Sequence, residues 1–364
     1  MTGPQPKPGI LEISPYTPGK AKAQGFERPL KLSANENAFG CSPAAREAYL
    51  AAAGDLALYP DPNATALRAA IAERRGLEPE RLVFGCGSDE LFTLACQAFL
   101  EPGDNIVQPA HGFAAWAIAA RAMGAEVRTA PEPALTADVD AMLALVDERT
   151  RIVFLADPAN PTGTWLPFSE VARLHASLPS RVLFLLDGAY AEFARGLEGF
   201  GEGLELAREA PNLFVTRTFS KLYGLAGLRV GWGYAPRPVA DAMQRIRLPF
   251  NAGVPALAAA LAALDDEAFV ERSLAQVERW RPIYVEALTG LGLDVRPSGT
   301  NFVTVGFPDR PSRRAPEVEA ALAARGILVR GLAGYGLPAH LRITIGDDAA
   351  NQRVLDALEA ILAG

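Results

Sequence analysis

Cysteine and histidine are scarce in this chain, and their spacing excludes several kinds of site. The three cysteines are Cys41, Cys86 and Cys96, and no two of them form a C-x-x-C pair. An odd number of dispersed cysteines predicts neither a disulfide framework nor a structural zinc site. The three histidines are far apart in sequence, so we expect no histidine-based metal centre. Unpaired cysteines also favour a reducing compartment, and we expect a cytoplasmic protein.

Long basic blocks and long apolar runs are also missing. The net charge is −7 without any cluster of Lys or Arg, which argues against nucleic-acid binding. No uninterrupted apolar run approaches the length that spans a bilayer, and residues 1–9 are polar and Pro-rich, unlike a signal peptide. With 49% hydrophobic and 21% charged residues, the composition is that of a globular protein. We therefore expect small-molecule substrates rather than nucleic-acid or membrane partners.

Short apolar segments alternate with helical patterns through the first two-thirds of the chain. The runs at residues 152–155 and 182–186 have no polar alternation, which is typical of parallel strands covered on both faces. Asp157 and Asp187 follow these runs, and ligands of such sheets bind beyond the carboxyl ends of the strands. The pattern predicts an α/β fold with a mainly parallel sheet.

The length of 364 residues predicts more than one domain. Residues 1–30 lack clean periodicity and are expected to form an extended arm. We place a large domain over residues 31–250, whose early segment can pack on the other domain. From residue 251 onward, long helical patterns and two short strands predict a small α+β domain over residues 251–364.

A glycine-containing turn, Gly85 to Glu90, lies between a predicted strand and a predicted helix. Such a turn offers backbone N–H groups and the positive end of a helix dipole to a phosphate. The spacing G-x-G-x-x-E lacks the third glycine of a dinucleotide fingerprint, and no acidic residue ends a second strand about 20 residues later. We therefore exclude an NAD site.

A lysine lies between a strand end and a Gly-rich turn. The amine of Lys221 can form a Schiff base with a carbonyl cofactor, while Ser220 and Arg229 can hold phosphate oxygens. A pyridine cofactor also needs a buried carboxylate at its ring nitrogen, and Asp187 suits that position, although a helix-capping aspartate is as simple an interpretation.

The oxygen of such a ring needs a neutral donor and a phenol. Asn160 and Tyr190 are candidates, with an ordinary Asn-Pro turn and a core tyrosine as the alternatives.

Together and in this order, the motifs resemble the fold-type-I pyridoxal phosphate aminotransferases over nearly the whole chain. Within that family they are most similar to the histidinol-phosphate aminotransferases. The segments that carry the resemblance are residues 14–16, 31–37, 59–61, 87–90, 160–163, 187–190, 220–229, 249–251, 326–330 and 341–344.

The resemblance implies a pyridoxal 5′-phosphate site and a homodimer. Lys221 would hold the cofactor covalently and move the substrate proton. Tyr59 would reach the cofactor phosphate of the partner subunit. The remaining implied cofactor contacts are Asp187 at the ring nitrogen, Asn160 and Tyr190 at the ring oxygen, and Gly87, Ser88, Asp89, Ser220 and Arg229 at the phosphate.

The resemblance also implies where the substrate lies. Arg342 would bind a substrate carboxylate, and Tyr16, Asn37 and Arg330 would lie around the rest of the substrate. Where the family usually stacks a tyrosine or phenylalanine on the cofactor ring, this chain has His111, which we expect to take that role; a plain loop histidine is the alternative.

The implied fold is the type-I pyridoxal phosphate transferase fold, with a seven-stranded, mainly parallel sheet in the large domain. The implied reaction exchanges an amino group between L-histidinol phosphate and 2-oxoglutarate. An aromatic aminotransferase and a threonine-phosphate decarboxylase on the same fold remain alternatives. A sensing domain of a transcription regulator is disfavoured by the acidic charge, and a cofactor-free Schiff-base aldolase would leave Asp187, Asn160 and Tyr190 unexplained.

Overall fold

A computed structural model describes residues 3–363 and shows alternating strands and helices. In chain order the strands are β1 (Leu30–Lys31), β2 (Leu82–Cys86), β3 (Asn105–Pro109), β4 (Glu126–Ala130), β5 (Thr150–Ala156), β6 (Leu183–Asp187), β7 (Leu213–Thr218), β8 (Val230–Tyr234), β9 (Asp294–Val295), β10 (Phe302–Gly306), β11 (Ile327–Leu328), β12 (Arg330–Leu332) and β13 (Leu337–Thr344).

The α-helices lie between these strands and at the C-terminal end. They are α1 (Pro43–Ala51), α2 (Thr65–Arg75), α3 (Ser88–Phe99), α4 (Ala114–Ala122), α5 (Val139–Ala144), α6 (Phe168–Ser177), α7 (Leu204–Glu209), α8 (Arg237–Ile246), α9 (Val254–Asp265), α10 (Glu267–Gly290), α11 (Ala315–Ala323) and α12 (Asp348–Ala363).

The larger sheet has seven strands in the order β2-β8-β7-β6-β5-β3-β4. Strand β8 pairs antiparallel with both of its neighbours, and the other pairings are parallel. The predicted α/β class and the seven-stranded, mainly parallel sheet are confirmed. Because the six other strands point the same way, their carboxyl ends meet at one edge of the sheet, where a ligand site is expected.

The two central strands explain why their sequences lack polar alternation. Alternate residues of β5 and β6 enter two separate hydrophobic cores, one on each face of the sheet. Val153 and Leu155 lie in one core, whereas Ile152 and Phe154 lie in the other. Both faces are therefore covered, as the apolar runs predicted.

Strand β8 was not predicted, because two glycines interrupt its apolar pattern. A Cβ atom at Gly233 would collide with the ring of Phe214, and one at Gly231 would collide with the backbone at Gly87 and Ser88. Glycine therefore allows β8 to pack closely against β7 and against the start of α3.

The smaller sheet is antiparallel, with the order β12-β13-β10-β9. The sequence predicted β10 and β13, but it missed β9 and β12, which have only two and three residues. Strand β1 pairs in parallel with β11, so the segment at residues 30–31 joins the C-terminal part of the chain. A domain boundary near residue 250 remains our proposal.

Membrane-spanning helices and clusters of metal-binding side chains are both absent from residues 3–363. None of the helices there is long and apolar enough to cross a membrane. The same residues contain no group of three or more His, Cys, Asp or Glu side chains arranged to hold a metal ion. Cys41, Cys86 and Cys96 are free thiols.

Candidate active site

Five candidate residues lie at the carboxyl ends of five different strands of the large sheet. Gly87 follows β2, His111 follows β3, Asn160 follows β5, Asp187 ends β6 and Lys221 follows β7. The parallel direction of these strands brings together residues that are up to 134 positions apart in the chain. The sheet edge at which they converge is our candidate active site.

Asp187 is the buried carboxylate of this site. Its side chain is only 6% exposed, and its Oδ1 accepts hydrogen bonds from the Thr216 hydroxyl at 3.0 Å and the Ala189 N–H at 3.2 Å. Oδ2 accepts no hydrogen bond from the described residues. Burial raises the pKa of Asp187 to about 6, although the hydrogen bond from Thr216 by itself lowers the pKa. The free oxygen suits a cationic N–H group, which would stabilise the ionised carboxylate.

Lys221 lies in the turn after β7 and points to the N-terminal segment of the chain. Its Nζ donates to the carbonyl oxygen of Ala34 at 3.2 Å and lies 5.7 Å from the centre of the Tyr190 ring. The Tyr190 hydroxyl accepts a 2.7 Å bond from the side-chain amide of Asn35. The segment at residues 34–35 therefore contacts both the amine and the phenol.

A phosphate-sized cradle lies at the start of α3. Arg229 donates to the Ser220 hydroxyl at 3.2 Å and to the Asp89 carboxylate at 2.6 Å. Gly87 is the N-cap residue of α3, with a φ of 78°, and no side chain caps the helix. A Cβ atom at Gly87 would collide with the Arg229 guanidinium, so only glycine allows this approach.

The cradle therefore combines uncapped N–H groups at Gly87 and Ser88, a hydroxyl and a guanidinium. This donor set fits a phosphate at a helix N-terminus.

Arg342 is a buried guanidinium on β13 that faces the same site. It donates to the Asn160 side-chain oxygen at 2.5 Å and to the Ser33 carbonyl at 3.0 Å. Its Nε has no hydrogen-bond partner among the described residues. Burial lowers the pKa of Arg342 from its ordinary value. No acidic side chain within residues 3–363 pairs with Arg342, so a substrate carboxylate can provide the missing anion.

Arg330 lies directly opposite Arg342 in the β12–β13 pairing. Its guanidinium donates to the carbonyl oxygen of Thr17 at 2.7 Å, which brings the N-terminal arm to this edge. Tyr16 packs edge-on against Phe113, with 6.3 Å between ring centres, and remains 49% exposed. The predicted substrate-side residues Tyr16, Arg330 and Arg342 are therefore brought to one place.

His111 links the two sheets. Its Nδ1 lies 2.7 Å from the carbonyl oxygen of Tyr335, and its backbone N–H donates to Glu132 at 2.5 Å. Because a carbonyl only accepts, Nδ1 carries the proton. A stacking role on a cofactor ring stays a prediction, as does the alternative of a plain loop histidine.

Two predicted site residues make contacts of a different kind. Both functions of the Asn37 amide are engaged: Nδ2 donates to the Leu222 carbonyl and the Ser273 hydroxyl, and Oδ1 accepts from the Phe39 N–H. These bonds position the loop that carries Asn37, and its contact with substrate stays a prediction. Tyr59 is 82% exposed and stacks on Phe250 at 4.6 Å, outside the cluster around Lys221.

Sequence reasoning missed three residues that hold the site in place. Thr216 bonds Asp187 and lies opposite it in the β6–β7 register. Asn35 bonds both Tyr190 and Thr344, in a left-handed conformation with a φ of 56°. Tyr335 supplies the carbonyl that binds His111. Of the three, only Asn35 could have been suggested by the sequence, because asparagine in a polar turn tolerates positive φ.

This chain belongs to the aminotransferase class I and II family, whose model matches residues 27–358. The resemblance predicted from the motifs is thereby confirmed.

The chain is 56% identical to histidinol-phosphate aminotransferase 1 of Caulobacter vibrioides, over 98% of this chain and 99% of that protein. It is 47% identical to histidinol-phosphate aminotransferase of Maricaulis maris, over 98% and 99% respectively. Among solved structures it resembles histidinol-phosphate aminotransferase from Sinorhizobium meliloti in complex with pyridoxal-5′-phosphate. That likeness has a TM-score of 0.90 at 29% identity, covering 100% of this chain and 99% of the other.

The burial of Asp187 generates a prediction about the cofactor-free protein. Folding raises the pKa of Asp187, so the carboxyl group ionises more readily in the unfolded chain than in the folded protein. The resulting loss of folding free energy develops between about pH 4 and pH 6 and persists at higher pH. Asp187→Asn should therefore raise the thermal transition temperature at pH 7.5 but not at pH 4. The gain corresponds to roughly 2–3 kcal/mol. Differential scanning calorimetry of both cofactor-free proteins measures it.

The matched control is Asp55→Asn, at an exposed carboxylate. This variant should differ from wild type in transition temperature by the same amount at both pH values. Affinity for pyridoxal phosphate should fall in Asp187→Asn although its stability rises. Equal transition temperatures for wild type and Asp187→Asn at pH 7.5 would contradict the uncompensated charge at this position.

Proposed function

We propose that this chain transfers an amino group between L-histidinol phosphate and 2-oxoglutarate, as a pyridoxal phosphate-dependent enzyme of histidine biosynthesis. The observation that carries the proposal is the pair of guanidiniums, Arg330 and Arg342, on paired positions at the same edge as Lys221 and Asp187. The names of full-length relatives at 47% to 56% identity support the same substrate.

The cofactor would occupy the space between the cradle and Asp187. When bound, pyridoxal phosphate supplies a protonated ring that withdraws electrons from the substrate carbon. Asp187 would use its free Oδ2 to hold the ring N–H, while Arg229, Ser220 and the N–H groups of Gly87 and Ser88 would hold the phosphate. These contacts fix the ring at both ends and so orient it.

Tyr190 and Asn160 would complete the cofactor site at the ring oxygen. Because the Tyr190 hydroxyl accepts from Asn35, it keeps its own proton to donate. The Asn160 oxygen accepts from Arg342, which leaves the amide N–H₂ of Asn160 free to donate. Both side chains are therefore oriented as donors by neighbours that bind their lone pairs.

Lys221 would be the residue that moves the proton. A lysine amine with a free lone pair can take a proton from the substrate carbon and return it at another position. The only acceptor of Nζ among the described side chains and backbone is the Ala34 carbonyl, which orients the amine. No carboxylate pairs with Nζ in that part of the chain.

The substrates would be bound by their anionic groups. Arg342, which has an unpartnered Nε, would hold the carboxylate of glutamate or 2-oxoglutarate. Arg330 is half-buried beside Thr17 and Tyr16 and would meet the phosphate of histidinol phosphate or the second carboxylate of glutamate. One pair of guanidiniums can therefore accept both partners of the exchange.

Exposed apolar side chains support a homodimer. Leu56, Leu58, Tyr59 and Leu248 are 66% to 82% exposed, and Tyr59 stacks on Phe250. Arg247 donates to the Pro62 carbonyl and so holds the two segments together. A continuous exposed apolar face of this kind is typical of a protein interface. We propose that a second copy covers it and that Tyr59 reaches the cofactor phosphate of the partner. A cytoplasmic location stays a prediction.

The function is tested by titrating the cofactor-loaded protein with three amino donors. L-histidinol phosphate should shift the visible absorption band of the bound cofactor to the amino form at low concentration, whereas phenylalanine and threonine phosphate should do so poorly. Arg330 and the cofactor would anchor the phosphate and the amine of histidinol phosphate, whereas phenylalanine offers no phosphate to Arg330. A Lys221→Ala variant should bind the cofactor but show no turnover.

A stronger response to phenylalanine would instead identify an aromatic aminotransferase, and release of carbon dioxide from threonine phosphate would identify a decarboxylase. If wild-type protein shows no visible band after the cofactor is added, the role of Lys221 is wrong.

Arg330→Ala should weaken the reaction with the phosphorylated substrate selectively. Loss of one charge-assisted contact costs roughly 1.5–3 kcal/mol, which corresponds to a ten- to hundredfold lower kcat/KM for histidinol phosphate. The value for phenylalanine should change little. Steady-state kinetics measure both, with Arg325→Ala as the control at an exposed arginine of the same region. Equal losses for both donors would remove Arg330 from the substrate site.

Tyr59→Phe should lower the affinity for pyridoxal phosphate while the dimer persists. The ring and its stacking on Phe250 remain, but the hydroxyl is lost, and a bond to a charged group is worth roughly 1.5–3 kcal/mol. Equilibrium dialysis measures the cofactor affinity, and light scattering measures the mass. Tyr49→Phe, at another exposed tyrosine, is the control. A fully active monomer would refute the proposed sharing of the site.

A further inference from the structure

A cavity of about 320 Å³ lies between the large sheet and the helices that lead to the C-terminal part of the chain. Its volume falls within the roughly 300–1,000 Å³ typical of small-molecule sites. None of the residues that we assign to the cofactor or the substrate lines it. Its apolar walls are formed by Ile71 of α2, Trp232 of β8, Leu264 of α9, and Val270 and Leu274 of α10.

Glu192 lies in the floor of this cavity without a hydrogen-bond partner. Its side chain is only 5% exposed, yet its carboxylate accepts no hydrogen bond from the residues between 3 and 363. The nearest cation is Arg217, whose Nε lies 3.9 Å away, too far for a hydrogen bond. The Nε of Arg217 is itself left without a bonded partner in that part of the chain. A nearly buried carboxylate that faces a cavity without a hydrogen-bond donor can bind a ligand that supplies one.

The arginines around the cavity already have acidic partners. Arg195 is bonded to Glu202, which also accepts from Arg217 at 3.3 Å and lies 3.7 Å from Arg75. Arg74 is paired with Asp265. Among these groups and the cavity lining, acidic side chains outnumber basic ones by five to four: Glu192, Glu202, Asp265, Glu267 and Glu271 against Arg74, Arg75, Arg195 and Arg217.

The charge balance and the free carboxylate favour a cation over an anion. We propose that this cavity is a second small-molecule site, which takes a ligand with a protonated nitrogen, such as an amine, amidine or guanidine, on a compact apolar body. The N–H groups would donate to Glu192, and the apolar body would pack between Trp232 and the residues of α9 and α10. This assignment is independent of the function proposed for Lys221.

Benzamidine is a suitable probe, because its amidinium donates two N–H bonds to a carboxylate and its ring is apolar. Isothermal titration calorimetry of the cofactor-loaded protein should show saturable binding at one site per chain. Benzamide has the same shape but no charge, and should bind at least about tenfold more weakly. Glu192→Gln should lower the affinity for benzamidine by a similar factor, while Glu271→Gln, at the exposed rim, should retain it.

Leu264→Trp provides a second variant, which fills the cavity and leaves Glu192 unchanged. This variant should lose benzamidine binding while its circular dichroism spectrum and its visible cofactor band stay those of wild type. The proposal is overturned if wild-type protein shows no saturable binding at millimolar benzamidine, or if benzamide binds equally well. It is also overturned if Glu192→Gln binds as wild type does, or if benzamidine changes the cofactor band, because the probe would then lie at Lys221.

Discussion

The uncompensated charge of Asp187 is the constraint on which the candidate site depends. One oxygen of this carboxylate is held by Thr216 and Ala189, and burial raises its pKa to about 6. A carboxylate that is nearly out of contact with water stabilises a protein only when a cation meets it. The fold places the free oxygen at the edge of the sheet where Lys221 and the Arg229 cradle also lie. The site is therefore shaped for a cationic ring between a phosphate cradle and a lysine amine.

The segment from Ser33 to Asn35 couples the two sheets at this site. The Ser33 carbonyl accepts from Arg342 of β13, and the Ala34 carbonyl accepts from Lys221 after β7. Asn35 then joins the Tyr190 hydroxyl to the Thr344 hydroxyl of β13. Three consecutive residues thus contact groups at the edges of both sheets, and the pairing of β1 with β11 holds this segment in place.

The sequence predicted Lys221 and Asp187 from their positions at strand ends, and the direction of parallel strands determines where strand ends meet. Asn160 was predicted as a neutral donor in an Asn-Pro turn. The sequence could not predict the partner of Tyr190, since Asn35 is separated from it by 155 positions and the contact depends on how two sheets dock. Thr216 is a similar case, because its bond to Asp187 requires the β6–β7 register. Local patterns therefore predict the strand-end residues, whereas the groups that orient them depend on long-range packing.

The segment that begins at Asp187 carries two buried carboxylates, and they face different spaces. A Cβ atom at Gly188 would collide with Arg217, so glycine allows this guanidinium to pass directly beneath the segment. Arg217 uses its Nη atoms on the Thr216 and Glu202 carbonyls, and it meets Glu192 only at 3.9 Å. Glu192 thus has charge compensation without hydrogen bonds. Because hydrogen bonds, not only charge, satisfy a buried carboxylate, Glu192 favours occupation of its cavity by a donor.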